Sequence, residues 1–127
     1  MPVSVRPYVV LAALFGLTGV AAGAFAAHGP PGTDPRVLEL ARTGASYSLW
    51  HALAMLAYAG LRGTSKAPLA LFAVGVALFS FSLYALALGA PRAVAYATPV
   101  GGVALMLGWV AIAIEAMRGG FHGITNA

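Results

Sequence analysis

The chain has no cysteine and very little charge: seven Lys and Arg, three Asp and Glu, 8% of 127 residues. Without cysteine there can be no disulfide, no thiolate metal site and no cysteine nucleophile. Scarce charge excludes more. An ordinary soluble domain carries about 25% charged residues, because its surface must be covered by polar groups. Ten charged side chains cannot cover a soluble fold of this size, and 61% of the residues are hydrophobic. The mean hydropathy is +0.88. The net charge of +4 suggests no nucleic-acid partner, since the basic residues stand singly between apolar runs and form no patch. Positive charge flanking apolar spans interacts with anionic lipid and sets topology.

The charge-free intervals organise the chain. No charged residue occurs between Arg6 and Asp34, Arg42 and Arg62, Lys66 and Arg92, or Arg92 and Glu115. Each interval can hold the roughly 20 residues that cross a bilayer as a helix. Backbone polar groups in lipid must be satisfied within the segment, so each should be helical. The expected fold is all-α, an integral membrane four-helix bundle in one domain over residues 1–127, with spans near Tyr8–Ala27, Ala45–Leu61, Pro68–Gly89 and Tyr96–Met117. A secretory signal peptide is the rival reading of the first span, with Ala21–Ala27 as the small-residue cleavage region. The apolar run continues to Ala27 without a polar break, which favours a retained span.

His28 to Pro35 is rich in turn residues and stops the first helix. Asp34 is placed to cap the next helix, with Pro35 at its first position. Val37, Leu40, Ala41 and Gly44 then share one face, and Arg36, Glu39 and Thr43 another. This predicts a short amphipathic helix at the interface before the second span, or the projecting first turns of that span. Gly63–Lys66 and Gly89–Arg92 read as tight loops, and Gly119–Ala127 as a short mobile tail. With four spans, Arg6, Arg62, Lys66 and Arg118 fall on the side of the termini; Arg36, Arg42 and Arg92 fall on the other. The bias places both termini in the cytoplasm of a multi-pass inner-membrane protein.

Small residues mark close helix approach. Gly16, Gly19 and Gly23 lie on the first span, and Gly101, Gly102 and Gly108 on the fourth. They serve packing within the bundle or an interface in a homo-oligomer or larger membrane complex.

Polar residues inside apolar spans are where chemistry could sit. If the second span starts at Ala45, His51 lies about 9 Å deep at the helical rise per residue. Tyr47 is one turn away, on the same face. Ser80, Tyr84, Thr98 and His28 reach a similar depth from the other helices. The expectation is a polar cluster of His28, Tyr47, His51, Ser80, Tyr84 and Thr98 in the outer third. It reads as a ligand- or proton-binding pocket, or as interhelical hydrogen bonds that fix the packing. Either way His51 should be neutral and hydrogen-bonded. Two histidines without a nearby carboxylate make a poor metal or haem site, so no metal and no cofactor is expected. Glu115 reads as an i,i+3 partner of Arg118, with a proton relay as the alternative. No nucleophile–base set, phosphate loop or carboxylate pair is present, so an enzyme is not expected. The inner half of the spans offers little beyond Gly16, Thr18 and Gly108, which argues against a channel. An accessory or scaffold role is favoured, with small-molecule or proton transport as the alternative.

Gly23-Ala-Phe-Ala-Ala-His28, Thr43-Gly-x-x-Tyr47-x-x-x-His51-Ala-Leu, Phe79-Ser-x-Ser-Leu-Tyr84, Thr98-Pro-Val-Gly-Gly102 and Gly108-Trp109 together resemble the YgdD-like inner-membrane family. This is a bacterial four-span family of unknown function with small eukaryotic relatives. The resemblance implies location, span count and motif positions, and no reaction or cofactor. The chain departs from the family at Ala26, where glycine is expected, at Ser48, where glutamine or another polar residue is, and at Phe81, where a small one is.

Overall fold

A computed structural model describes residues 5–122. Four long helices run in order: α1 (Arg6–His28), α2 (Pro35–Leu61), α3 (Ala67–Ala87) and α4 (Ala97–Met117). A 3-10 turn over Arg92–Tyr96 leads into α4. Among the described residues there is no strand, only an isolated bridge between Gly63 and Phe121.

The helix ends follow local chemistry. Asp34 accepts the Arg36 N–H at 2.9 Å and Pro35 opens α2, satisfying one of the free amides of the first turn. Arg62 closes α2 in the left-handed region at φ 54°. Gly89, at φ 95°, turns the chain after α3; a side chain there would be strained.

The expected amphipathic helix is not a separate element. It forms the first turns of α2, which is continuous from Pro35 to Leu61. Nothing between Arg42 and Ala45 breaks the helix: Gly44 is helical and packed, and α2 has no proline after Pro35. At 1.5 Å per residue α2 is about 40 Å long. α1, α3 and α4 are each long and apolar enough to cross a membrane by length and composition; α2 is less apolar, because its uncharged part carries Ser46, Tyr47, Ser48, Trp50, His51 and Tyr58.

The helices pack in chain order, α1 on α2, α2 on α3 and α3 on α4; α1 touches α3 lightly and α4 hardly at all. The array is therefore open. It leaves one groove between α1 and α3 and another between α2 and α4. The common core joins Ala12 and Phe15 of α1, Ala52, Met55 and Tyr58 of α2, Leu69, Phe72 and Val76 of α3, and Leu105 of α4.

Of the glycines expected to mediate packing, three do so. A Cβ on Gly19 would meet the Leu49 side chain, one on Gly101 the Phe79 amide at 2.4 Å, and one on Gly108 the Phe72 ring. Gly16 faces open space, and Gly23 and Gly102 make only ordinary contacts. Two further glycines inside helices make close approaches between helices: Gly44 under the Tyr84 ring, and Gly75 against Leu105.

The C-terminal segment is more ordered than expected as far as His122. Thr64 N–H donates to the Gly120 carbonyl at 3.1 Å and His122 N–H to the Arg62 carbonyl at 3.3 Å; Phe121 packs on the core. Residues 123–127 of the expected tail lie outside the described ones.

Candidate functional site

His51 is 5% exposed, sixteen residues past Pro35. It is therefore about 24 Å from the start of α2 and about 15 Å from its end. Its ring stands edge-on to Phe72 and to Trp109, with centroids 5.3 and 5.8 Å away. Phe72 lies in the second turn of α3, so His51 belongs to the half of the molecule nearer the chain termini. The outer-third placement is thus corrected. It assumed that α2 entered the membrane at Ala45, whereas the helix begins ten residues earlier.

Both imidazole nitrogens are used. Trp109 Nε1 donates to His51 Nε2 at 3.1 Å, and His51 Nδ1 lies 2.8 Å from the Tyr47 carbonyl. An indole N–H can only donate and a carbonyl can only accept. The two bonds together assign a neutral imidazole with its proton on Nδ1. Tyr47 completes an aromatic wall, with its ring centroid 4.5 Å from Phe79 and 5.2 Å from Trp50. These residues line a groove of about 520 Å³ between α2 and α4, together with Gly102, Leu105 and Met106.

The other members of the expected cluster go elsewhere. Ser80 and Tyr84 share one face of α3, and the Tyr84 ring lies against Gly44, about 10 Å from His51 along α2. The buried Ser80 and Tyr84 hydroxyls have no hydrogen-bond partner. Thr98 pairs with Ser82 at 2.6 Å across α3 and α4. His28 is exposed at the end of α1, and the adjoining Gly29 sits beside Leu38, thirteen residues and about 20 Å from His51. The six residues therefore fall into three separate sets plus a lone surface histidine, and no shared pocket exists.

Sequence reasoning missed Trp109 as the partner of His51 and Ser82 as the partner of Thr98; Ser48, which shares the polar face of α2 in the sequence, turns its hydroxyl to α1 and donates to the Phe15 carbonyl at 2.7 Å. Trp109 stood in a quoted motif, but periodicity within one helix cannot pair it with a residue on another. Among the described residues no three His, Asp or Glu come together as metal ligands.

Glu115 is corrected as well. It is 6% exposed and makes no ion pair with Arg118; the ion pair among the described residues is Arg42–Glu39, exposed at 2.7 Å. Glu115 Oε1 instead accepts the Thr64 N–H at 2.8 Å, the Ser65 N–H at 3.2 Å and the Thr64 hydroxyl. The carboxylate ties the α2–α3 loop to the end of α4.

A family model described as "Protein of unknown function (DUF423)" matches residues 22–102. The chain belongs to the DUF423 family. The UPF0382 membrane protein of Haemophilus influenzae is 40% identical over 116 residues, covering 87% of this chain and 94% of that protein. YwdK of Bacillus subtilis, also a UPF0382 membrane protein, is 34% identical over 89% of this chain and 98% of its own length. The inner membrane protein YgdD of Escherichia coli K12 is 35% identical over 95% of this chain and 97% of its own length. No solved structure matches the chain. It is a helical membrane protein of a family whose function is unknown.

The three departures from the resemblance now have places in this DUF423 chain. Ala26 is buried. Ser48 bonds α2 to α1. Phe81 lies between Phe15 and Tyr84, with ring centroids 5.9 and 5.4 Å away. It fills the middle of the α1–α3 groove and divides it into two cavities.

Proposed function

We propose that this protein is a four-span accessory component of the inner membrane, with both termini cytoplasmic. It acts by holding another membrane-embedded apolar partner in the groove between α2 and α4. The observation that carries the reading is the character of that groove. It offers ring surfaces from Tyr47, Trp50, Phe79 and Trp109, while both His51 nitrogens are already bonded inside the protein. A wall mostly of aromatic and thioether surface, whose polar atoms beside the bonded His51 are the Tyr47 hydroxyl and the Trp50 N–H, suits packing against a helix side. It does not suit an ion or a proton relay, which needs a group that can change partners.

Four spans are supported by the gathering of Val5, Arg62–Lys66 and His122 around one cavity. If α1 crosses away from that end, α2 must return to it, and α3 and α4 repeat the pair. The cytoplasmic assignment rests on the excess of Arg and Lys at that end. Transport is disfavoured because the polar groups lie in separate sets, and because α3 and α4 meet backbone to backbone at Gly101.

A photo-crosslinking residue at Met106 or Trp50 tests the reading in native membranes. One discrete adduct with a membrane protein, absent when the crosslinker is placed at Leu17 on the far face of α1, is the expected result. Substrate or proton flux through purified protein in liposomes would overturn it. The groove is also concave and of ligand size, which favours a small apolar molecule as the second reading. A low-mass adduct at the same two positions would select that one.

A further inference from the structure

The end of the molecule that gathers the termini holds a second cavity, unrelated to the aromatic groove. It encloses about 380 Å³ and is lined by Val5, Tyr58, Ala59, the loop Arg62–Lys66, Leu69 and His122. That volume lies within the ordinary range of ligand pockets.

Its chemistry is two-sided. Val5, Tyr58, Ala59 and Leu69 form an apolar floor, where Tyr58 and Leu69 are buried core residues. Arg62, Lys66 and His122 form the rim, and all three are exposed. The N-terminal end of α3 opens beside them, adding the positive end of its dipole. One negative charge lies close to it, the Glu115 carboxylate beneath the loop, against the two cations Arg62 and Lys66. The sequence has three acidic residues. Asp34 and Glu39 lie at the opposite end of α2, and Glu115 accepts three hydrogen bonds from Thr64 and Ser65.

The loop that carries the rim is held in place from below. Arg62 is, among the described residues, the one non-glycine residue at positive φ. Its carbonyl accepts the His122 N–H, which brings His122 to the same rim. Tyr58 donates its hydroxyl to the Ser65 carbonyl. Gly63 crosses so close over Tyr58 that a Cβ there would overlap the phenol ring. Gly120 lies equally close to Glu115. Two glycines, one tyrosine and one buried carboxylate thus fix a short loop, and its two basic side chains stand over an apolar hollow at the membrane edge.

We propose that this cavity binds the phosphodiester of an anionic phospholipid. Arg62, Lys66 and the His122 ring meet the phosphate oxygens, and the half-buried Val5 and Ala59, with the aliphatic stems of Arg62 and Lys66, receive the glycerol and the first acyl carbons. Cationic side chains at a helix end attract anionic headgroups, and charge-assisted bonds to phosphate are the strong ones. The partly exposed apolar surface of Val5 and Ala59 selects a lipid over a free phosphate, which would leave it uncovered. A headgroup bearing a choline or ethanolamine cation would bring its positive charge against Arg62 and Lys66.

Thermal unfolding of the delipidated full-length protein in neutral detergent tests the site. Phosphatidylglycerol, phosphatidylcholine with the same acyl chains, and inorganic phosphate are added separately. Phosphatidylglycerol should raise the melting temperature by at least a few degrees, and the other two should not. The shift should vanish in a variant carrying Arg62→Asn and Lys66→Gln; asparagine tolerates the left-handed backbone at position 62. It should persist in a variant carrying Arg36→Gln and Arg92→Gln, which loses the same charge at the opposite end. Equal shifts with both lipids, or a phosphatidylglycerol shift that survives Arg62→Asn with Lys66→Gln, would overturn the proposal. The full shift with inorganic phosphate alone would overturn the lipid assignment. Should the Arg62 and Lys66 variant fail to fold, native mass spectrometry of the wild-type protein decides. From an equimolar mixture one phosphatidylglycerol should be retained in preference to phosphatidylcholine, and equal retention refutes the site.

Discussion

Two side chains show how single polar atoms are settled in this protein. The neutral His51 accepts from Trp109 and donates to its own helix, so α2 and α4 are joined at a level where charge would be costly. Trp109→Phe keeps most of the ring contact and removes the donor. We expect a loss of about 0.6 kcal/mol and at most about 1.7, the range of intramembrane side-chain hydrogen bonds. Combined with His51→Phe, the losses should be less than additive, because the second change removes a bond already gone. Unfolding by denaturing detergent measures both, and full additivity would show that the bond contributes nothing. Glu115 predicts differently. Glu115→Ala leaves the Thr64 and Ser65 donors of the α2–α3 loop unpaired. The expected loss is about 1–2 kcal/mol, below the fully buried limit because Thr64 can reach solvent. Protease sensitivity should rise at Gly63–Ser65. Arg118→Ala should cost much less, since Arg118 makes no ion pair with Glu115 and acts on it only through its nearby charge; an equal loss in both variants would restore the ion-pair reading.

Between helices, glycine placement decides how near the backbones come. Dispersion and backbone contact hold helices together in lipid, where burial from water adds little. Gly101 stands where α3 and α4 touch, with the Phe79 amide 2.4 Å from the position of its missing Cβ. Gly101→Ala must push the two helices apart, at a cost of about 1–3 kcal/mol as in other overpacked sites. Gly16 has open space at that position, so Gly16→Ala should leave the melting temperature unchanged or slightly raised. The pair is a direct comparison by thermal unfolding, and equal effects would contradict the packing described. Gly44 belongs with Gly101: the Tyr84 ring occupies the space where its side chain would stand.

For the molecule as a whole, the decisive property is its open array. A closed four-helix bundle would pack α1 against α4; here the two flanks are free and two grooves result. The absence of native cysteine makes topology directly measurable. In intact cells, Thr33→Cys should react with a membrane-impermeant thiol reagent and Arg118→Cys should not. After permeabilisation both should react. Labelling of both in intact cells would refute the four-span topology with cytoplasmic termini.

Much of the fold was legible in the chain itself. Charge-free intervals gave the four apolar segments, and Asp34 with Pro35 gave the start of α2, because these depend on local transfer energies and local caps. For α2 the sequence left a separate amphipathic helix and projecting first turns both open, and the structure has the second; the depth count nevertheless began at Ala45, taking the charges in those turns for a boundary. That error moved His51 by about ten residues in depth and assembled a cluster that does not exist. Shared depth is a property of one helix at a time. Azimuth and the pairing of helices depend on which small residues allow contact, and Gly16, Gly23 and Gly102 are indistinguishable in sequence from Gly19, Gly101 and Gly108. The sequence by itself determined that this is a helical membrane protein, its apolar segments, the cap at Asp34 and Pro35, and its family motifs. Only the tertiary structure decided that His51 answers to Trp109, that Glu115 holds the α2–α3 loop, and that basic side chains from two distant segments meet over one cavity. Those pairings are set by the crossing of helices, which no local pattern encodes.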